Sequence, residues 1–186
     1  VGDHTNPENR EVIMDGGKLT LVLIAMIIPF YFFGDWFFHL LWNHRNPVWN
    51  PSVPLWVKAL SILAAIVIHE AMHGLVFALY APGGFHSVSF GFSRQMGALY
   101  CHCNEPLPVK HYRRAGIAPF LLLGILPLAI SYATGMVWLK TFGLLLCIGG
   151  FGDLLIWFKL LRFPENLSIL DHPEKLGFIV IGNSGQ

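Results

Sequence analysis

Long apolar runs separated by short polar stretches dominate the chain, and residues 19–42, 55–80, 115–132 and 137–161 each read as a membrane-crossing helix. A hydrocarbon core of about 30 Å takes about 20 helical residues. The third run is the shortest and holds Pro119 and Pro127, which predicts a kink; Ala133-Thr134-Gly135 then predicts a tight turn into the fourth. Between the second and third runs the pattern changes to alternation. His86-Ser87-Val88-Ser89-Phe90-Gly91-Phe92, entered by Pro82-Gly83-Gly84, and residues 97–103 read as two strands, so a hairpin is expected at about 85–103. The pattern predicts an all-α integral membrane fold of about four transmembrane helices, with a small β-hairpin between helices two and three. A polar segment, 1–18, and a C-terminal segment, 162–186, flank a membrane domain at 19–161.

Composition agrees with this pattern: 54% of residues are hydrophobic, 12% are charged and the mean hydropathy is +0.56, too apolar for a soluble domain of this length. A net charge of +1 without runs of like charge argues against nucleic-acid partners. The segment 1–18 lacks a short apolar core followed by a small-residue cleavage site, so the first helix is expected to be an anchor. With both termini inside, the inner flanks hold Arg10, Lys18, Arg94, Lys110, Arg113, Arg114, Lys159, Arg162 and Lys175, against Arg45, Lys58 and Lys140 outside. That bias predicts an N-in, C-in orientation, with the hairpin and the C-terminal segment in the cytoplasm. Phe37, Phe38, Trp42, Trp49 and Trp56 then form an outer aromatic belt, with ordinary helix packing the alternative for each ring.

Chemistry enters with His69-Glu70-Ala71-Met72-His73, an H-E-x-x-H sequence inside the second apolar run. Residues four apart share a helix face, so His69 and His73 can bind one metal with Glu70 beside it as a base. Ionisable groups inside a spanning helix are costly unless they face a cavity, a protein interior or a metal. Catalytic zinc usually takes three protein ligands, and Asp153, a lone carboxylate in the fourth run, is the strongest candidate for the third. At 1.5 Å per residue, His69 lies about 20 Å below Trp56 and Asp153 about 22 Å below Trp138, a similar depth on parallel helices. Gly149, Gly150 and Gly152 are expected to let the fourth helix approach a neighbour closely. Zinc on His69, His73 and Asp153 would acidify water and polarise a carbonyl, while Glu70 moves the proton to the leaving amine. The hairpin could hold a substrate extended beside the metal as an added strand.

Other polar residues have competing readings. Cys101 and Cys103 on a strand point to one face and His102 to the other, so His102 is a candidate substrate-side group or support for a ligand, against an ordinary loop histidine. His111 and His86 lie near the inner face, as further candidates ranked below Asp153. Asp35 and His39, four apart near the outer end of helix one, are expected to pair with each other. Asp171-His172-Pro173 reads first as a polar turn or helix cap, and second as a segment docked over the mouth of the site.

The run Leu99-Tyr100-Cys101-His102-Cys103-Asn104-Glu105-Pro106-Leu107, the residues from His111-Tyr112-Arg113 to Pro119, and Asp171-His172-Pro173-Glu174-Lys175-Leu176-Gly177-Phe178, together with the H-E-x-x-H helix, resemble a family of small bacterial membrane proteins named putative zincin peptidases. The resemblance covers most of residues 55–181. The order of H-E-x-x-H helix, hairpin, helix, and helix with Asp is also similar to the core of site-2 intramembrane metalloproteases. It implies zinc at His69, His73 and Asp153 and a catalytic Glu70; with the apolar pattern, the expectation is a metallopeptidase of a bacterial cytoplasmic membrane, set in the lipid bilayer, that cuts a membrane-inserted or membrane-proximal peptide or protein substrate. Two other function classes use the same ligands: a catalytically silent membrane scaffold and a metal-ion transporter. A transporter wants polar groups along a whole crossing path, and the outer halves of helices two and four are apolar.

Overall fold

Asp15 closes the polar lead of the chain, and its carboxylate accepts the Lys18 N–H at 2.9 Å, satisfying one of the orphan donors at the start of helix α1 (Gly16–Trp42). The computed structural model describes residues 9–43, 52–93, 98–172 and 177–181. Trp49, Arg45, Arg94, Gly97, Pro173, Glu174, Lys175 and Leu176, all used in the sequence reading, lie outside the described residues.

Strand β1 (Arg10–Ile13) precedes α1, and α2 (Leu55–Tyr80) follows it. A short 3₁₀ turn, Gly84–Ser87, leads into strands β2 (Val88–Ser93) and β3 (Ala98–Cys103), which pair antiparallel with Phe90 opposite Cys101. The pair lies on α2 because Gly74 has no side chain: a Cβ there would stand 2.3 Å from the Phe90 ring. Strand β4 (Leu107–Pro108) then enters α3 (Val109–Pro119), a π-helical turn (Phe120–Ile125) and α4 (Leu126–Thr134). This third apolar helix starts at Val109, earlier than the expected 115, because Lys110, His111, Arg113 and Arg114 extend it as an amphipathic first stretch. The π turn lies between Pro119 and Pro127, the two prolines expected to kink it. Gly135, at φ 77°, closes α4 in the left-handed conformation that glycine adopts at least cost.

The fourth apolar run is two helices, α5 (Val137–Gly149) and α6 (Phe151–Leu160), bent by 48° at Gly150. A single helix at 137–161 was expected; the cluster Gly149-Gly150-Phe151-Gly152 is too weak a helix former to keep it straight. Nor do Gly149 and Gly152 make the close helix contact, since nothing stands within 4 Å of a Cβ at either. Gly150 does make it, since a Cβ there would stand 3.1 Å from the Phe120 ring, and so do Gly143 and Gly124, where a Cβ would stand 2.8 Å from the Leu128 backbone and 2.8 Å from Cys147 Sγ. Three helices, Gly16–Trp42, Leu55–Tyr80 and Val109–Thr134, are long and apolar enough to cross a membrane, and α5 with α6 has the length and composition for a further one.

Strands β5 (Ser168–Asp171) and β6 (Gly177–Ile181) complete a four-stranded antiparallel sheet in the order β1-β6-β5-β4, which the sequence reading did not contain. One core joins this sheet to α2, α3 and α6 through Phe77, Leu107, Tyr112, Leu160, Ile169 and Phe178. A second packs the π turn, α4, α5 and α6 against α1 through Phe120, Leu128, Leu144, Cys147 and Phe151. Lys140, read as an outer flanking charge, is buried on α5, where it pairs with Asp35 of α1 and lies 5.1 Å from the Phe38 ring. Asp35 also stands 3.6 Å from His39, as expected. Of the belt aromatics, Phe38 is buried core, Trp42 donates to the Tyr132 carbonyl at 3.0 Å, and Trp56 is exposed.

Candidate metal centre

The i, i+4 spacing of α2 turns His69 and His73 to one side, with ring centroids 4.9 Å apart. The bend at Gly150 restarts the fourth run so that Asp153 falls in the first turn of α6 and meets them. His69 Nε2 is 2.9 Å from Asp153 Oδ2, His73 Nε2 is 3.3 Å from His69 Nε2, and His73 Nε2 is 3.4 Å from Asp153 Oδ2. Atoms bound tetrahedrally at about 2.0–2.1 Å from zinc stand about 3.3 Å from one another. The triangle therefore has the dimensions of one face of a zinc tetrahedron. Among the described residues, His69, His73 and Asp153 are the group able to hold a metal ion.

Imidazole orientation supports that fit. His73 is buried, and its Nδ1–H donates to the Ala115 carbonyl of α3 at 2.9 Å, which leaves Nε2 as the free lone pair facing His69 and Asp153. Such a hydrogen bond behind a ligand fixes tautomer and ring direction. Glu70, one residue on, points to another side of α2. Its carboxylate faces the backbone of Cys101 on β3 and lines a cavity of about 440 Å³ with Val67, Ala71, Phe90, Gly91, Leu99 and Tyr100. The cavity wall is apolar apart from Glu70 and the Tyr100 hydroxyl. Gly91 permits the Tyr100 ring to lie across β2, since a Cβ there would be 2.5 Å from it.

A second buried polar cluster adjoins the first. Asp171, at the end of β5, accepts the Cys103 N–H at 2.8 Å and the Tyr112 hydroxyl, and its carboxylate lies 3.7 Å from His102 Nδ1. Burial pushes the Asp171 carboxyl above its ordinary value, against the pull of the Cys103 N–H, the Tyr112 hydroxyl and His102. The sequence points first to a turn or cap at Asp171 and second to docking over the site; its partners are 68 and 59 residues away, so no local signal announces them. His102 thus faces Asp171. His111 stacks on the Tyr80 ring at 4.0 Å, which Arg114 covers at 5.7 Å. Tyr80 is seven residues past His73, about 10 Å along the helix. His86 is exposed in the 3₁₀ turn.

Cys101 and Cys103 are free thiols. Burial pushes Cys103 up to about 11 and Cys101 up as well, so both stay protonated at neutral pH and are poor ligands as they stand.

A family model described as "Putative zincin peptidase" matches residues 62–167, more than half of the chain and a span holding His69, Glu70, His73 and Asp153. An "Uncharacterized 24.7 kDa protein in gap 5'region" of Pyrococcus woesei is 27% identical over 115 residues, which cover 60% of this chain and 50% of that protein. The chain thus spans about half the length of the curated relative it matches. No solved structure matches it.

Proposed function

Because the chain belongs to the Putative zincin peptidase family, we propose that it is a zinc-dependent membrane peptidase that cleaves peptide segments in or beside the bilayer. The observation that carries this reading is the triangle of His69 Nε2, His73 Nε2 and Asp153 Oδ2, with Glu70 on the adjoining face of the same helix. His69, His73 and Asp153 would hold the zinc ion, which would supply Lewis acidity towards the scissile carbonyl and the attacking water. Glu70 is the base: its carboxylate takes the proton from the water and passes it to the departing amine. In the structure that carboxylate faces the Cys101 backbone, beside the edge of β3.

The substrate lies extended along β3. Cys103 N–H points away from β2 to Asp171, so by the alternation of an antiparallel ladder the N–H and C=O groups of Cys101 and Leu99 also point outwards. Asp171 closes this edge at Cys103, and the part beyond it borders the cavity that Glu70 lines. An extended peptide added there presents its carbonyls to the base without unwinding a helix beside the metal. The arrangement of H-E-x-x-H helix, strand pair, helix, and helix with Asp supports a site-2-protease-like mechanism, and the Lys and Arg bias supports N-in, C-in placement in a bacterial cytoplasmic membrane.

Zinc per chain in detergent-purified protein, with hydrolysis of unfolded casein as probe, tests the reading. The parent holds about one zinc, His69→Ala and Asp153→Ala lose it, and Glu70→Gln keeps it while cleavage falls by about 10²-fold or more. A Glu70→Gln protein that cuts as fast as the parent removes the base from the mechanism. A well-folded parent without zinc ends the metallopeptidase reading in favour of a silent scaffold.

A further inference from the structure

Pro119 sits inside the third apolar helix, at a position where proline removes a backbone donor. In an α-helix the N–H of residue 119 would bond to the carbonyl of residue 115. Proline has no N–H to offer, and its ring presses on that same carbonyl and tilts it off the helix axis. The carbonyl in question is Ala115 O, the atom that accepts His73 Nδ1–H at 2.9 Å. Ala115 is fully buried and His73 nearly so, which leaves no water to replace either partner. The π turn begins at the next residue, Phe120, so the helix continues by changing its hydrogen-bond spacing past the gap.

We propose that Pro119 is a positioning residue of the metal centre: it withholds the helical N–H and so frees the Ala115 carbonyl to orient His73. The inference rests on the zinc reading above for its functional meaning, but the orientation of His73 can be read without metal. Pro119 touches neither substrate nor metal in this account and acts through Ala115 and His73. A proline serving only to bend the helix predicts no link between residue 119 and the tautomer of a histidine on α2.

The test is Pro119→Ala, with Pro119→Gly as a second variant that also restores the N–H. Three quantities are measured on the full chain in detergent: zinc affinity by competition with a fluorescent chelator, melting of the metal-free protein, and the His73 tautomer by ¹⁵N NMR. The expected result is a split. Metal-free Pro119→Ala melts at or above the parent, because a regular helical hydrogen bond is restored, while zinc binds about 10–100-fold more weakly and His73 loses its uniform Nδ1–H tautomer. Unchanged zinc affinity in both variants overturns the proposal. So does a loss of affinity that only tracks a loss of melting temperature. A parent that binds no zinc, yet holds the Nδ1–H tautomer until Pro119 is replaced, supports the positioning role and defeats the peptidase reading instead.

Discussion

A carboxylate shut away from water has to be matched donor by donor, and Asp171 is met by the Cys103 N–H, the Tyr112 hydroxyl and the His102 ring. Truncating it strands two buried donors, so Asp171→Ala should cost about 2–4 kcal/mol in thermal or denaturant unfolding. The pH dependence has a definite sign. Burial raises the folded-state value of Asp171 above that of the unfolded chain, so its contribution is greatest at low pH and is lost as pH rises through the raised value. The melting-temperature advantage of the parent over Asp171→Asn should therefore shrink as pH rises above the ordinary carboxyl value of about 4; an advantage that grows would refute the assignment. Legibility at this scale follows sequence distance. His69, Glu70 and His73 announce themselves through helical spacing, and Asp153 through its isolation among apolar residues. The roles of Asp171 and Pro119 depend on which distant backbone groups they face, which spacing does not reveal.

Elements were legible where one hydrophobic run makes one helix. Residues 19–42 and 55–80 correspond to α1 and α2 within a few positions at the start of α1. The third run was read six residues short because its first stretch is polar on one face. The fourth was read as one helix, since hydropathy does not register the break that glycine allows at Gly150. Charge was misread for a related reason: Lys140 stands near a helix end in sequence, yet folds inwards to pair with Asp35 and so ties α5 to α1. Lys140→Met should destabilise by about 2–3 kcal/mol, below the range for a fully buried pair because Asp35 is partly exposed. Adding Asp35→Asn should recover most of that loss. A double variant no more stable than Lys140→Met would mean the lysine acts through packing on Phe38 and not through its charge.

At the level of the whole molecule, four short strands from three separate stretches of chain form one sheet: β1 before α1, β4 between α2 and α3, and β5 with β6 after α6. None of them is long enough to be strongly marked in sequence, and the partner of each is set by how the helices return the chain. A hydrogen-bonded ladder of this kind is not laid through a bilayer, so all four strands share one aqueous compartment. The sheet thereby acts as a parity lock. With the apolar helices spanning a bilayer as proposed, the chain would cross it an even number of times between β1 and β4, and again between β4 and β5, whatever the flanking charges prefer. Reporters fused before β1 and after β6 should fall on the same side, the cytoplasmic one if the Lys and Arg bias sets orientation. Opposite sides would require the β1–β6 ladder to be broken, and deleting a single span should undo the sheet before it undoes the remaining helices.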